Sequence, residues 1–290
     1  MPHTEWQNFD FDGIGTRWEI SAPGPLDHAL RMELLRVVER YDATWSRFRE
    51  DSVVAAMSRQ AGRYELPAEA SALGAVYRSL YDLSHGAMTP LIGGSLEHLG
   101  YDAAYSLRPR GAPRPAPQWE GALDWDGTVV TTSVPLVLDI GAAGKGQLVD
   151  LLSAELQSRG INDFFIDASG DLLNSGRVPV SVALEHPYDP DAAIGTVSLG
   201  AGALCASASN RRLWGDGLHH VLDGTTGAPV QTVVATWAMA ETAMVADALA
   251  TALFFVPGDD LERNFEFSWL KVFSDGGADY SAGFEGTLFT

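Results

Sequence analysis

The spacing of apolar residues along the chain predicts a mixture of strands and helices. Residues 9–21 alternate between apolar and polar positions around Gly13 and Gly15, which is typical of a strand or hairpin. Apolar residues three and four apart predict helices over residues 25–41, 53–58, 67–84, 146–159 and 242–255. Short apolar runs predict strands over residues 125–132, 135–140, 164–168, 179–183, 194–199, 204–207, 269–274 and 286–289. Since the two kinds of element do not alternate strictly, the predicted fold class is α+β.

A glycine-rich turn lies between the strand predicted at 135–140 and the helix predicted at 146–159. Backbone N–H groups at such a turn can bind an anion, glycine lets the backbone approach a ligand, and Lys145 adds a positive charge. The spacing differs from that of the common phosphate-binding loop, because no Ser or Thr follows the lysine. An anion site and a plain tight turn therefore remain open. With the strand at 164–168, the segment predicts a β-turn-α-β unit.

Two oxygen-bearing side chains stand one turn apart on the helix predicted at 242–255. Asp247 and Thr251 have i, i+4 spacing and so share a helix face. A carboxylate with a neutral oxygen is a suitable partial shell for Mg²⁺. The alternative is a solvated aspartate beside a threonine that bonds back to its own helix. The apolar neighbours indicate a buried helix, in which a carboxylate needs a partner.

Two further segments carry residues of interest, each with a purely structural alternative. In the pair His219-His220, one imidazole is a candidate general base with a pKa near neutral, unless both rings pack at a strand end. Residues 44–52 combine polar side chains with Trp45 and Phe48. These rings either anchor a polar loop to the core or offer an aromatic face to a planar ligand.

Composition narrows the classes of function. Of the 290 residues 46% are hydrophobic, which is enough for a large core, and the formal net charge of −19 argues against a basic face for nucleic acid. With Cys205 as its one cysteine the chain has no internal disulfide. No apolar stretch is long enough to span a bilayer and the N-terminus lacks the features of a signal peptide, so we expect a cytoplasmic protein. The proline-rich residues 108–117 predict a surface connection and the best internal boundary.

In chain order, these segments resemble the ApbE family, the FAD:protein FMN transferases. The resemblance spans nearly the whole chain, and its most specific parts are the Lys-Gly turn and the helix that carries Asp247. The matching segments are 13–18 (G-I-G-T-R-W, against an M-G-T strand), 46–52 (S-R-F-R-E-D-S, against S-x-[YF]-x-x-D-S), 84–90 (S-H-G-A-M-T-P, against G-A-F-D-P), 139–150 (against D-x-G-x-x-x-K-G-x-x-x-D), 167–171 (D-A-S-G-D, against G-G-D), 220–227 (H-V-L-D-G-T-T-G, against H-I-x-D-P-x-T-G) and 246–251 (A-D-A-L-A-T, against A-D-x-x-x-T).

The resemblance implies a fold, a reaction and a set of site residues. The fold would be a single two-lobed domain over residues 1–290 with ApbE-like (T-fold-like) mixed sheets and packed helices. The reaction would be Mg²⁺-dependent cleavage of FAD, with transfer of FMN to a Thr or Ser of an acceptor protein and release of AMP. By matched position, the Mg²⁺ ligands would be the carbonyl of Ala142, Asp247 and Thr251, and His220 would be the catalytic base. FAD would be lined by Ile14, Phe48, Ala87, Met88, Thr89, Asp139, Lys145 and Val221.

The chain also departs from the family pattern. Thr89 stands where the family usually has Asp, Ile14 replaces a Met, Ser169 replaces the first glycine of G-G-D, and Gly224-Thr225 replaces Pro-Arg. Two alternatives therefore stay open: an Mg²⁺-dependent FAD pyrophosphatase that gives FMN and AMP, and a non-catalytic FAD-binding protein. In each case, the helix that carries Asp247 is predicted to pack against the glycine-rich turn at 141–146.

Overall fold

Sixteen strands and eight helices make up the described part of the chain, residues 6–289 of a computed structural model. The strands are β1 (Trp6–Gly13), β2 (Thr16–Pro23), β3 (Gly62–Glu65), β4 (Leu123–Asp126), β5 (Val129–Thr132), β6 (Phe165–Asp167), β7 (Asp171–Asn174), β8 (Val180–His186), β9 (Asp189–Leu199), β10 (Gly202–Ala208), β11 (Leu213–Trp214), β12 (Leu218–His219), β13 (Val233–Ala240), β14 (Ser268–Phe273), β15 (Ala278–Tyr280) and β16 (Gly286–Leu288). The helices are α1 (His28–Trp45), α2 (Val53–Arg59), α3 (Ala70–Leu83), α4 (Gly93–His98), the single turn α5 (Trp119–Ala122), α6 (Gly144–Ser158), α7 (Ala243–Ala252) and α8 (Gly258–Glu262), with 3₁₀ turns at Pro90–Ile92 and Ser209–Arg212.

An antiparallel eight-stranded sheet in the order β1-β2-β6-β7-β10-β13-β14-β15 is the centre of the fold. Successive side chains of a strand point to opposite faces, and both faces of this sheet are buried. On β10, for example, Cys205 joins the core under the helices, whereas its neighbour Leu204 joins a second core on the other face. On β13, Ala238 and Trp237 divide in the same way. The α+β prediction is therefore confirmed.

Different layers cover the two faces of this sheet. Helices α1, α3, α6 and α7 bury their apolar sides in one large core with the first face. The three-stranded sheet β16-β9-β8 covers the second face through residues such as Leu184 and Val197. A further sheet, β3-β5-β4, and the small hairpin β11-β12 lie outside these layers. Helices α6 and α7 are thus packed directly against the central sheet.

The predicted contact between the helix of Asp247 and the glycine-rich turn is confirmed. The N–H of Gly146 donates to Oδ2 of Asp247 (3.0 Å), and a Cβ atom at Gly146 would lie 2.1 Å from the carbonyl oxygen of Ala243. A glycine is therefore needed at this position for α6 and α7 to meet. From α6, the Asp150 carboxylate also accepts hydrogen bonds from the N–H groups of Ala243 (2.8 Å) and Met244 (2.9 Å), which caps α7.

Most predicted elements are present, but two predictions are wrong. Residues 125–132 do not form one strand, because the chain reverses at Gly127, which has φ of 57°, to make the β4-β5 hairpin. Residues 135–140 form no strand, since their N–H groups bond to loops: Leu136 to the carbonyl of Met57 (3.0 Å) and Asp139 to that of Pro90 (2.8 Å). The predicted β-turn-α-β unit therefore lacks its first strand. The sequence pattern also failed to indicate the central strands β7 and β13.

The proline-rich segment at 108–117 is exposed over most of its length, as expected of a surface connection. None of the helices within residues 6–289 combines the length and the apolar character needed to cross a membrane. The cytoplasmic location stays a prediction of the sequence.

Candidate active site

Two adjoining cavities open beside the N-termini of α6 and α7. The polar cavity, about 340 Å³, contains the glycine-rich turn and residues of α7. The aromatic cavity, about 620 Å³, lies against the end of α1 and the residues near Tyr101. Asp139, Lys145 and Arg212 line both. Together the cavities therefore form one continuous site with two compartments.

The polar cavity brings together most of the residues singled out in the sequence. The proposed metal ligands Ala142, Asp247 and Thr251 all line it, because α7 lies directly against the turn that begins α6. Thr242 caps α7 by accepting from the N–H of Val245, which fixes where the helix starts. The other predicted residues that line this cavity are Ala87, Met88, Thr89, Asp139, Lys145, His220 and Val221.

The donor set in the polar cavity fits a hard cation. A backbone carbonyl, a carboxylate and a hydroxyl are oxygen ligands, which Mg²⁺ prefers. Burial and the nearby Asp171 carboxylate raise the pKa of Asp247 well above its usual value, so the positive charges around it are too few to stabilise the ionised carboxylate. A divalent cation bound here would supply the missing positive charge. Residues 6–289 hold no cluster of three His, Cys, Asp or Glu side chains arranged around a metal, so a site of that kind is absent from this part of the chain.

Lys145 is tied to the loop between β6 and β7. Its Nζ donates to the carbonyls of Ala168 (3.0 Å) and Ser169 (3.2 Å) and lies 3.3 Å from Oδ2 of the fully buried Asp171. Although burial opposes the charge, the carboxylates of Asp171 and Asp247 raise the pKa of Lys145 above its usual value. An ammonium has three protons to donate, and here two hydrogen bonds to the loop and the ion pair with Asp171 hold it in place. Lys145 therefore supplies a fixed positive charge to both cavities.

The two histidines of the His219-His220 pair have different surroundings. Nε2 of His219 donates to the carbonyl of Val230 (2.8 Å), and its Nδ1 accepts from the N–H of Val221 (3.3 Å), so both ring nitrogens are engaged. His220 lines the polar cavity, and its Nδ1 has no hydrogen-bond partner within residues 6–289. Burial, and then the charge of Arg212, lower the pKa of His220 to about 3. The predicted near-neutral pKa is therefore wrong, and the imidazole is neutral at physiological pH.

Aromatic rings line the second cavity, as one of the two interpretations of residues 44–52 predicted. The rings of Phe48 and Tyr105 stack with centroids 5.1 Å apart, and those of Tyr101 and Trp214 stack at 5.6 Å. Tyr105 is 54% exposed and presents its ring at the cavity opening. Trp45 also lines the cavity but is buried, so it serves as the core anchor of the other interpretation.

An ion pair fixes the wall between the two cavities. Nε of the buried Arg47 donates to Oδ2 of Asp139 (2.6 Å), and its Nη1 donates to the carbonyl of Tyr101 (2.8 Å). The Arg47 guanidinium also lies 4.2 Å from the ring centre of Phe48. Burial alone would raise the pKa of Asp139, but Arg47 outweighs it and holds that pKa below the usual value. Asp139 thus stays ionised and orders the aromatic wall.

Several residues that depart from the family pattern have a local explanation. The hydroxyl of Thr89 accepts from the N–H of Leu91 (3.2 Å), so it caps the following 3₁₀ turn, as an Asp would. A Cβ atom at Gly224 would lie 2.6 Å from both Cγ2 of Thr89 and the carbonyl oxygen of Gly86, which leaves no room for proline. The two departures are therefore in contact. Ile14 lines the aromatic cavity with φ of 43°, a strained conformation for a β-branched residue.

The sequence analysis missed several residues of this site. Arg212 lines both cavities, and its guanidinium lies 5.6 Å from the ring centre of Tyr101. Its neighbour Arg211 instead pairs with Glu185 (2.8 Å). The adjacent arginines at 211 and 212 and the two tyrosines at 101 and 105 could have indicated a binding site, but neither pair belonged to a known motif. The missed residues are Arg47, Tyr101, Tyr105, Asp171, Arg212 and Trp214.

Comparison with known proteins shows the family. A protein of Rhodobacter capsulatus named FAD:protein FMN transferase is 32% identical over 64% of this chain, and the match spans 38% of that longer protein. One of the same name from Vibrio cholerae is 27% identical over 83% of this chain and 78% of its own length. The crystal structure of an ApbE protein from Thermotoga maritima has the same fold, with a TM-score of 0.83, 24% identity and coverage of 97% of this chain and 99% of that one. Residues 14–268 match the model of the ApbE family, and the chain therefore belongs to the ApbE family.

Proposed function

We propose that this protein is a Mg²⁺-dependent FAD:protein FMN transferase, which attaches FMN through a phosphoester to a Thr or Ser of an acceptor protein and releases AMP. The observation that carries the proposal is the convergence of Ala142, Asp247, Thr251 and His220 on one polar cavity beside an aromatic one. The names of the curated relatives support the same reaction.

The division of the site into two compartments suits a substrate with a planar ring system and a diphosphate. The aromatic cavity, with Ile14 and Phe48 in its wall, would take a ring. The polar cavity would take the diphosphate between the N-terminus of α6 and the oxygen ligands on α7. A bound Mg²⁺ would neutralise phosphate charge and stabilise the leaving group.

Arg212 is the candidate for direct contact with the phosphates. Lys145 donates to the β6-β7 loop and therefore acts on the anion through its charge and by holding that loop in place. Arg212 lines both cavities where they adjoin and forms no ion pair within the described chain. A guanidinium has five N–H donors that match phosphate oxygens well.

His220 is the candidate base for the acceptor hydroxyl. Its unpartnered Nδ1 lies in the polar cavity, and the negative charge of bound phosphates would favour the protonated imidazole that burial and Arg212 disfavour in the empty site. Proton transfer to a positioned imidazole as the hydroxyl attacks phosphorus is ordinary general-base catalysis. His219 has both nitrogens engaged and instead supports the loop.

The test is an incubation of the purified protein with FAD, MgCl₂ and Thr-bearing acceptor peptides, followed by mass spectrometry. The expected products are a peptide with one added FMN and an equal amount of AMP. AMP release at the same rate without any acceptor would instead establish the pyrophosphatase. Tight FAD binding without AMP release would establish a binding protein.

A further inference from the structure

We infer that residues 103–117, here named the arginine strap, are the docking surface for an acidic stretch of the acceptor protein. The inference deepens the proposed transferase function and rests on it, because it concerns the second substrate of that reaction. It is carried by the charge of the strap, its position along the site and the bonds that hold it in place.

The charge of the strap is opposite to that of the chain. The whole protein has 38 acidic and 19 basic side chains, whereas residues 103–117 contain Arg108, Arg110 and Arg114 and no Asp or Glu. All three arginines are exposed. Arg110 lies 3.6 Å from Asp102, and the other two form no ion pair within residues 6–289. The strap is therefore a local cationic surface on an acidic protein.

The strap extends along the opening of the site. At its beginning, Tyr105 and Leu107 line the aromatic cavity. At its end, the N–H of Ala116 donates to the carbonyl of Gly224 (2.8 Å), on the loop that follows His220. The backbone of Arg114 is so close to this loop that a Cβ atom at Gly227 would lie 1.8 Å from its carbonyl oxygen. A polypeptide bound along the strap would thus pass the aromatic compartment and reach the loop that follows the candidate base.

Local bonds hold the strap in one conformation. The Asp102 carboxylate accepts from the N–H groups of Ala104 (3.1 Å) and Ser106 (3.0 Å), and the carbonyl of Ala112 lies 3.0 Å from Nε2 of the buried His98. Tyr105 and Leu107 have φ of 49° and 53°, an uncommon conformation for residues other than glycine. Strain of this kind is often kept where a segment must present side chains to a ligand. A pre-formed surface also lowers the entropy cost of binding a flexible peptide.

Charge complementarity selects an acidic occupant. The net charge of −19 repels an acidic partner over most of the surface, so such a partner is attracted locally to the strap. This attraction would bring a Thr of the bound acceptor to the site that contains His220. It would also favour acidic acceptor proteins over others. An acidic stretch next to the modified Thr is therefore the chemistry that the strap recognises.

The experiment compares two peptides with one Thr each, one flanked by Asp residues and the other by Asn at the same positions. The enzymes are the wild type, the variant R108Q/R110Q/R114Q and a charge-matched control, R36Q/R177Q/R263Q, whose exposed arginines line neither cavity. For the wild type and the control we expect a KM about tenfold lower for the Asp peptide, and for the strap variant a difference within about twofold. The advantage should decrease with added salt. The KM for FAD should not change.

Equal KM values for the two peptides with the wild type, or an undiminished advantage in the strap variant, would overturn the docking proposal while leaving the transferase intact. Failure of the transferase is seen separately, as the absence of an FMN adduct on either peptide. In that case, fluorescence anisotropy of the labelled peptides tests docking directly. Binding of the Asp peptide that depends on the strap supports the surface, and equal binding of both peptides rejects it.

Discussion

The two compartments of the site are built from different kinds of structure. In the polar cavity the candidate metal ligands lie on α7 and on the turn that begins α6, next to helices that pack on the central sheet, and loop residues such as His220 complete the lining. The aromatic cavity is formed largely by loop residues, with the exposed Tyr105 at its opening. The candidate metal-binding carboxylate and hydroxyl thus lie on a helix, whereas the rings of Phe48, Tyr101 and Tyr105 lie on loops that local bonds hold in place. If this division is functional, substitutions in the two cavities should have separable effects.

The largest effect is expected from Asp247→Asn in the polar cavity. Loss of the metal-binding carboxylate should lower FMN transfer by at least about 1,000-fold, since metal stabilisation of a phosphoryl transition state is worth several kcal/mol. A readout independent of activity is the rise in Tm on addition of MgCl₂, which should be present in the wild type and absent in the variant. The exposed Asp124→Asn is the matched control.

The same variant should not lose stability when Mg²⁺ is absent. The pKa of Asp247 is raised in the folded protein, so ionisation of this group lowers the free energy of unfolding as pH rises above the usual carboxyl pKa. At neutral pH without metal, Asp247→Asn should therefore unfold at the same or a higher temperature than the wild type. A variant that loses several degrees in Tm would show that Asp247 is a structural residue, and the metal-site assignment would then be wrong.

The adjacent histidines provide the next test. His220→Ala should lower transfer by about 100-fold or more while FAD binding persists, as expected for loss of a general base. His219→Ala should instead lower Tm, because it removes the bonds to Val230 and Val221. Since the pKa of His220 is about 3 in the enzyme without substrate, kcat/KM for FAD should show no inflection from this imidazole between about pH 5 and 8. A histidine inflection that disappears in His220→Ala would contradict the buried, neutral base.

The helical part of the polar compartment was predictable because its residues follow one another on regular elements. Asp247 and Thr251 share a helix face, and Lys145 directly follows the glycine turn, so short-range spacing placed them together. Apart from Ile14 and Phe48, the aromatic compartment was not, because Arg47, Tyr101 and Trp214 come from separate segments whose meeting no local pattern specifies. The fold errors have related causes. The strand β13 is buried on both faces and lacks alternation, and residues 135–140 have an apolar pattern but bond to loops.

Arg212→Gln tests the boundary between the compartments. A hydrogen bond to a charged group contributes about 1.5–3 kcal/mol, so the variant should bind FAD about 10- to 150-fold more weakly. Riboflavin has the same ring system without phosphates, and its affinity should change by less than about twofold. Both affinities can be measured by quenching of flavin fluorescence. Equal weakening of the two ligands would mean that Arg212 supports the aromatic wall through Tyr101 rather than binding phosphate.

The smallest effect, and the sharpest contrast with Arg212, is expected from Tyr105→Ala. An aromatic pair contributes about 0.5–1.5 kcal/mol beyond its buried area, so loss of this exposed ring should weaken flavin binding only about 2- to 12-fold. The loss should be the same for FAD and riboflavin, because both present the same ring, and the rate at saturating FAD should be unchanged. Tyr105 has left-handed φ, so Tyr105→Phe, which keeps the ring and the backbone preference, is the control and should bind as the wild type does. A selective loss of FAD binding in Tyr105→Ala would place the adenine or the phosphates, rather than the flavin, against this wall, and the assignment of the aromatic cavity to the flavin would then be wrong.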